Sequence, residues 1–310
     1  MTRVIFMGTP QFACSVLEQL IRDQYEIVAV VTQPDKKVGR AQTIVYSPVK
    51  ELALQHQIPV LQPFKMKEEY ASILNYEPDL IVTCAYGQML PEAVFSYPHL
   101  GCINVHASLL PRLRGGAPIH KAIVYGEEKT GVTLMRTVRR MDAGDMCGFL
   151  ETEIALADTY GTLHDRLMGL AAALIHEKLP DIIQGTAQFL PQDDAQATIA
   201  YAITKEEEQL VFSKTRMEVY NHIRGMIPSP VAHGIIKGKK LKFWGVQLGE
   251  LQEDAVLSGT VCGYEEAGIK IKVLDGYIYV SEVQLEGKTR MQAREFMNGF
   301  GRNLIGERFE

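Results

Sequence analysis

Through the first half of the chain, short apolar runs alternate with amphipathic stretches, and few folds accommodate that alternation. An uninterrupted apolar run buries both of its faces and so belongs in a sheet covered on both sides. A helix between two such runs carries the chain back across the sheet and makes the strands parallel. Strands are predicted at Val4–Met7, Glu26–Thr32, Val60–Leu61, Asp79–Ala85, Gly101–Val105, Gly131–Met135 and Gly148–Ile154. A helix over Gln11–Arg22 follows the turn Gly8-Thr9-Pro10, and Thr159 is placed as the N-cap of a long helix running to about Ile183. The fold class that follows is α/β, with a doubly wound, mostly parallel, Rossmann-like sheet.

The pattern changes after Gln184. From there to Tyr201 the chain is rich in Gln, Asp, Ala and Thr without a sustained apolar period, which is the composition of a linker. Thr215–Gly225 reads as one amphipathic helix. Strands punctuated by glycine follow at Lys240–Val246, Gly259–Cys262, Gly268–Val273 and Tyr277–Val283, with a last helix near Met291–Asn298. Short strands at this spacing predict a smaller C-terminal, OB-like β-barrel. The expected organisation is therefore a catalytic domain over residues 1–188, a linker over 189–204 and a barrel over 205–310.

With 310 residues, 46% of them hydrophobic and 22% charged, the chain can bury a sizeable core, which excludes the disordered and fibrous classes. Met1-Thr2-Arg3-Val4 lacks the apolar stretch and small-residue site of a signal peptide, and no run of about 18 apolar residues occurs, so a cytoplasmic enzyme with no membrane partner is expected. The five cysteines, Cys14, Cys84, Cys102, Cys147 and Cys262, are odd in number and widely spaced among apolar neighbours, the signature of reduced thiols. There is no CxxC, no HExxH and no ligand-like histidine spacing, so no metal is expected. Gly8-Thr9-Pro10 lacks the second and third glycines of a dinucleotide fingerprint, and Pro10 has no N–H to offer a phosphate.

Of the 32 basic and 37 acidic residues, 15 of each lie from Lys205 to Glu310, so the net charge of −5 is carried by the first two-thirds. Within the neutral C-terminal region Lys237, Lys239, Lys240 and Lys242 gather at a predicted hairpin, and Lys270 and Lys272 recur on one face of a strand. Such lysines either attract nucleic acid or protect a sheet edge from pairing.

The chemistry concentrates between Gly101 and Asp145. In Cys102-Ile103-Asn104-Val105-His106, the amide and the imidazole alternate with apolar residues, so both polar side chains share one face at a strand end. Open α/β sheets bind ligands at the carboxyl ends of their strands. An amide donor beside an imidazole can stabilise an oxyanion and move protons, the two requirements of acyl transfer to an amine. Met141-Asp142-Ala143-Gly144-Asp145, a tight turn between two predicted strands, supplies the carboxylate Asp142 to orient His106. The same residues could instead satisfy loop hydrogen bonds, and from the residues alone both readings stay open.

Four motifs decide between them: Asn104-Val105-His106-Ala107-Ser108-Leu109-Leu110-Pro111, Arg114-Gly115-Gly116-Ala117-Pro118-Ile119, Thr130-Gly131-Val132-Thr133 and Asp142-Ala143-Gly144-Asp145. In this order they resemble the 10-formyltetrahydrofolate-dependent formyltransferases, and over nearly its whole length the chain is similar to the branch of that family acting on initiator methionyl-tRNA. The resemblance implies that Asn104, His106 and Asp142 are the catalytic positions, that Ser108, Leu109, Leu110 and Pro111 contact the folate, and that 10-formyltetrahydrofolate is the co-substrate.

It also implies that Gln33-Pro34-Asp35-Lys36-Lys37-Val38-Gly39-Arg40, a long loop continuing to Lys50, is the tRNA-contacting insertion, with Lys36, Lys37 and Arg40 as binding residues. Asn221-His222-Ile223-Arg224-Gly225 with Pro228-Ser229-Pro230 resembles the start of the family's C-terminal domain, although Met226-Ile227 and Val231-Ala232 stand where many relatives carry aromatic residues. A monomer is expected. The alternative acceptor is a 4-amino-sugar nucleotide, whose formyltransferases lack the Pro-Asp-Lys-x-x-Gly-Arg loop. Glycinamide ribonucleotide formyltransferases carry a glycine-rich phosphate loop, and formylfolate hydrolases an extra N-terminal domain; neither feature is expected here.

Overall fold

A computed structural model describes residues 2–39 and 42–310. The chain folds into two compact units, one made of residues 1–118, 129–153 and 164–201, the other of 119–128, 154–163 and 202–310.

Among the described residues the first unit carries nine strands: β1 (Arg3–Gly8), β2 (Glu26–Val31), β3 (Lys36–Val38), β4 (Thr43–Val45), β5 (Val60–Leu61), β6 (Leu80–Cys84), β7 (Cys102–His106), β8 (Lys129–Arg136) and β9 (Met146–Glu153). Seven of them form one sheet in the order β5-β2-β1-β6-β7-β8-β9. Pairing is parallel from β5 through β7 and antiparallel from β7 to β9. The parallel part follows the apolar runs, for every residue of β6 is buried. The helix Gln11–Arg22 covers the sheet with Phe12, Ala13, Cys14, Val16, Leu17 and Leu20, which recur at helical spacing and are all buried. The doubly wound α/β class expected from the sequence is what the chain adopts.

Three features differ from expectation. The predicted long loop after β2 contains the antiparallel hairpin β3–β4, in which Lys36 faces Val45 and Lys37 faces Ile44. The β-branched run Thr43-Ile44-Val45 supplies the strand propensity, and Gly39, at φ +73°, provides the turn. Chain beyond the hairpin enters a helix, Pro48–Gln55, whose N-cap Ser47 accepts the Lys50 N–H at 3.1 Å. Finally, the stretch that reads as a linker is bonded to the first unit: Leu190 and Met146 exchange backbone hydrogen bonds, and Arg114 does so with Thr198 and Ala200. A polar composition without period hid these contacts, because backbone pairing leaves no mark on side-chain pattern.

The second unit carries β10 (His233–Ile236), β11 (Lys239–Leu251), β12 (Val261–Glu265), β13 (Gly268–Val273), β14 (Gly276–Leu285) and β15 (Met291–Gln292). They form an antiparallel sheet ordered β10-β11-β14-β13-β12, with β15 on β14. Its core gathers Phe212, Phe243, Ile271, Ile278, Val280 and Phe309 with Val219 and Ile223 of the helix Arg216–Gly225. Arg224 is buried at 5% exposure and donates to Asn221 Oδ1, Ala155 O and Asp158 O at 2.8, 3.1 and 2.7 Å. Met226, Val231 and Ala232 are buried as well. They fill core volume and leave no stacking surface at that place.

Candidate active site

β6 and β7 end side by side, and their register sets Thr83 opposite Asn104. The Thr83 hydroxyl donates to Asn104 Oδ1 at 2.7 Å and also lies 3.2 Å from Ile103 O. With its carbonyl end engaged, the Asn104 amide has its NH2 to offer a ligand. Two residues on, His106 shares the same strand face and is 7% exposed. Its Nε2 lies 3.0 Å from Leu113 O. A carbonyl can only accept, so Nε2 carries a proton and Nδ1 is the nitrogen left for chemistry.

Nδ1 faces Asp142 Oδ2 at 3.8 Å, an ion-pair distance longer than a hydrogen bond. The same oxygen accepts the Gly115 N–H at 2.8 Å. Asp142 stands in the turn between β8 and β9 with φ +49°, a left-handed conformation in which a side chain is strained. Close by, Gly144 could carry no side chain, since a Cβ there would lie 1.8 Å from Arg136 O. Asn104 and His106 thus share one face near the end of β7, and the turn after β8 brings Asp142 to His106.

The stretch 108–111 wraps under His106. Ser108 is fully buried and its hydroxyl donates to Arg112 O at 2.7 Å, so this side chain braces the turn. Thr133 on β8 ties the loop down, donating to Ser108 O at 2.7 Å and accepting the Leu110 N–H at 3.2 Å. Leu110 is 8% exposed, whereas Leu109 and Pro111 are half-buried and present the accessible apolar surface of the loop.

Lys36 and Lys37 lie exposed on the hairpin, beside the exposed Ile44, Val45 and Tyr46. Arg40 lies outside the described residues. At the base of the hairpin Lys50 binds Asp35 at 2.6 Å, and this contact, with one from Gln62, holds the Asp35 carboxyl below its usual range.

Two lysines of the second unit behave differently. Lys270 sits between Glu250 at 2.5 Å and Glu265 at 3.1 Å. Lys272, 2% exposed, donates to Gln252 O at 2.6 Å and lies 3.4 Å from Asp254. Their charges are met by carboxylates of the same unit.

Sequence reasoning gave no role to Thr83 or Gln192 and named Thr133 only within its motif. Thr83 could have been found as the one hydroxyl within the buried run Leu80-Ile81-Val82-Thr83-Cys84. Gln192 had no signal in its neighbourhood, because its partners lie 48 to 78 positions away. Among the described residues no group of three or more His, Cys, Asp or Glu could hold a metal ion, and no helix is long and apolar enough to cross a membrane.

Comparison with known proteins gives two family matches, formyl transferase over residues 2–179 and formyl transferase, C-terminal domain, over residues 202–301. The chain is 48% identical over 304 residues to a methionyl-tRNA formyltransferase of Bacillus licheniformis, covering 97% of this chain and 96% of the relative. It is 44% identical over 311 residues to one of Macrococcus caseolyticus, covering 100% and 99%. Among solved structures, HypX from Aquifex aeolicus in complex with tetrahydrofolic acid matches with TM-score 0.66 and 16% identity, over 98% of this chain and 48% of that one. WlaRD, a sugar 3N-formyl transferase, matches with TM-score 0.66 and 19% identity over 93% of this chain and 99% of its own. These two share the fold.

Proposed function

Because the chain belongs to the methionyl-tRNA formyltransferases, we propose for its site residues the roles that follow from that activity. The enzyme transfers the formyl group of 10-formyltetrahydrofolate to the free amino group of methionine on initiator methionyl-tRNA, yielding N-formylmethionyl-tRNA. The observation that carries this is identity of 44–48% across the full chain to curated methionyl-tRNA formyltransferases. The sugar formyltransferase is far more distant, at 19%.

In the reaction the amine attacks the formyl carbon, and the carbonyl oxygen becomes an oxyanion on a tetrahedral centre. The C–N10 bond then breaks as the proton lost by the amine passes to N10. We assign the oxyanion to the Asn104 NH2 and to a proton on His106 Nδ1. Both groups sit on one strand face, and each has its other end occupied, by Thr83 and by Leu113 O. Asp142, 3.8 Å from Nδ1, compensates the charge of a doubly protonated His106 and, through water, moves the amine proton. Leu109, Leu110, Pro111 and the backbone of Ser108 form the folate-facing loop in this reading.

For the tRNA, the exposed Lys36 and Lys37 meet phosphate, with Arg40 completing the loop. Catalysis is assigned to the first unit, to which the stretch up to Tyr201 is bonded, and tRNA binding in part to residues 205–310. We read the enzyme as a cytoplasmic monomer; light scattering giving the mass of two chains would correct the latter.

The deciding assay supplies 10-formyltetrahydrofolate with either charged initiator tRNA or a 4-amino-sugar nucleotide. Formylation of the tRNA alone is expected. Formylation of the sugar alone would reverse the assignment.

A further inference from the structure

We propose that Gln192 is a positioning residue for Asp142, so that the segment with the composition of a linker completes the active site. The inference rests on the reading above, in which Asp142 acts in formyl transfer.

Asp142 holds a left-handed backbone conformation at φ +49° in a turn between two strands, and some interaction must keep it there. Gln192 supplies one. Its Nε2 donates to Asp142 O at 2.9 Å and to Gly144 O at 2.8 Å, gripping both sides of the turn. Its Oε1 accepts from Arg114 Nε at 3.0 Å and Nη2 at 2.7 Å. Both donors and both lone pairs of the amide are therefore used, which fixes which end faces the turn.

Arg114 is itself held. It is 1% exposed, its Nη2 also reaches Asp194 Oδ1 at 2.8 Å, and its backbone pairs with Thr198 and Ala200. The next residue, Gly115, donates its N–H to Asp142 Oδ2. Gly115 has φ +120°, and a Cβ on it would lie 2.6 Å from Ala200 O. Asp142 is thus fixed at two points, its backbone carbonyl by Gln192 and its carboxylate by the residue after Arg114. Together they set the direction of the side chain, and with it the 3.8 Å between Oδ2 and His106 Nδ1.

A residue that merely stabilised the loop would lower activity by the same factor whatever stood at position 142. A positioning residue loses its effect once the carboxylate is gone. The test measures kcat and KM for both substrates in Gln192→Leu and Gln192→Glu, each alone and combined with Asp142→Asn, with thermal melting of every variant. Gln192→Glu keeps the oxygen that accepts both Arg114 donors and replaces the NH2 that grips the turn, so it remains informative if Gln192→Leu fails to fold.

The expected result is a fall in kcat of about ten- to hundred-fold for either variant, with both KM values retained and the factor reduced to near one in the Asp142→Asn background. An inactive Asp142→Asn beside a fully active Gln192→Glu overturns the positioning role alone. So does an equal loss in both backgrounds. A fully active Asp142→Asn would instead remove the assignment of Asp142 on which the inference rests.

Discussion

The Thr83 hydroxyl, 2.7 Å from Asn104 Oδ1 across the β6–β7 register, decides which end of the Asn104 amide faces a ligand. Without it the amide can turn over and present an oxygen where an oxyanion must be met. Thr83→Val keeps the shape and removes the hydroxyl. We expect kcat to fall about tenfold, the equivalent of about 1.4 kcal/mol, with KM for the folate retained and with activity recovered in Thr83→Ser. An unchanged kcat in Thr83→Val would show that the amide is oriented by something else.

His106 and Asp142 lie far enough from the Lys36–Lys37 hairpin in sequence and role that chemistry and binding should separate. His106→Ala and Asp142→Asn should each cost about 10²–10³ in turnover, the usual consequence of losing one group that meets charge developing in the transition state. Affinity for methionyl-tRNA, measured by filter binding without folate, should stay near that of the wild type. Matching losses of affinity would mark both residues as structural.

How much of this was legible follows from the range of each interaction. The strands β1, β6 and β7 could be read because burial on both faces demands continuous apolar residues, and the shared face of Asn104 and His106 follows from the two-residue period of a strand. Asp142 was named as the acidic residue of a turn between two strands of one sheet, but that turn leaves β8 beside the start of β7, where Arg136 pairs with Ile103, so its approach to His106 belongs to the fold and not to the pattern. The hairpin β3–β4 was missed because Lys36 and Lys37 dominate the reading of a stretch whose strand propensity sits in Thr43-Ile44-Val45. Gln192 was missed for a different reason, and Arg114, read only as part of its motif, was not linked to it. Their hydrogen bonds join positions 78 apart, and a glutamine in a polar stretch does not announce burial. Lys270 and Lys272 show the reverse case, basic residues whose charge the fold cancels with Glu250, Glu265 and Asp254.

That cancellation separates the two groups of lysines in a salt titration. Each phosphate neutralised by a free cation contributes about 0.7–0.9 to the slope of log affinity against log salt. Lys36→Ala with Lys37→Ala should weaken tRNA binding and reduce the slope by about one to two. Lys270→Ala should leave the slope unchanged and lower the melting temperature, because it leaves Glu250 and Glu265 facing each other without a cation. A change of slope on removing Lys270, or none on removing the hairpin lysines, would reverse the assignment of the phosphate-facing surface.

The same cluster makes the second unit sensitive to acid. The hydrogen bond from Lys270 holds the Glu250 carboxyl below its ordinary value of 4.5, and the Tyr279 hydroxyl, 3.0 Å away, adds to the effect. A carboxyl whose folded value is depressed takes up its proton more readily in the unfolded chain. Its stabilisation is therefore complete above 4.5 and is lost as pH falls from there through the folded value. Glu250→Gln lacks that titration. Its melting temperature should lie below that of the wild type at neutral pH, and the two curves should converge below pH 4.5, with the wild type falling more steeply. Curves that stay parallel on the acid side would show that Glu250 gains nothing from Lys270 in the folded state.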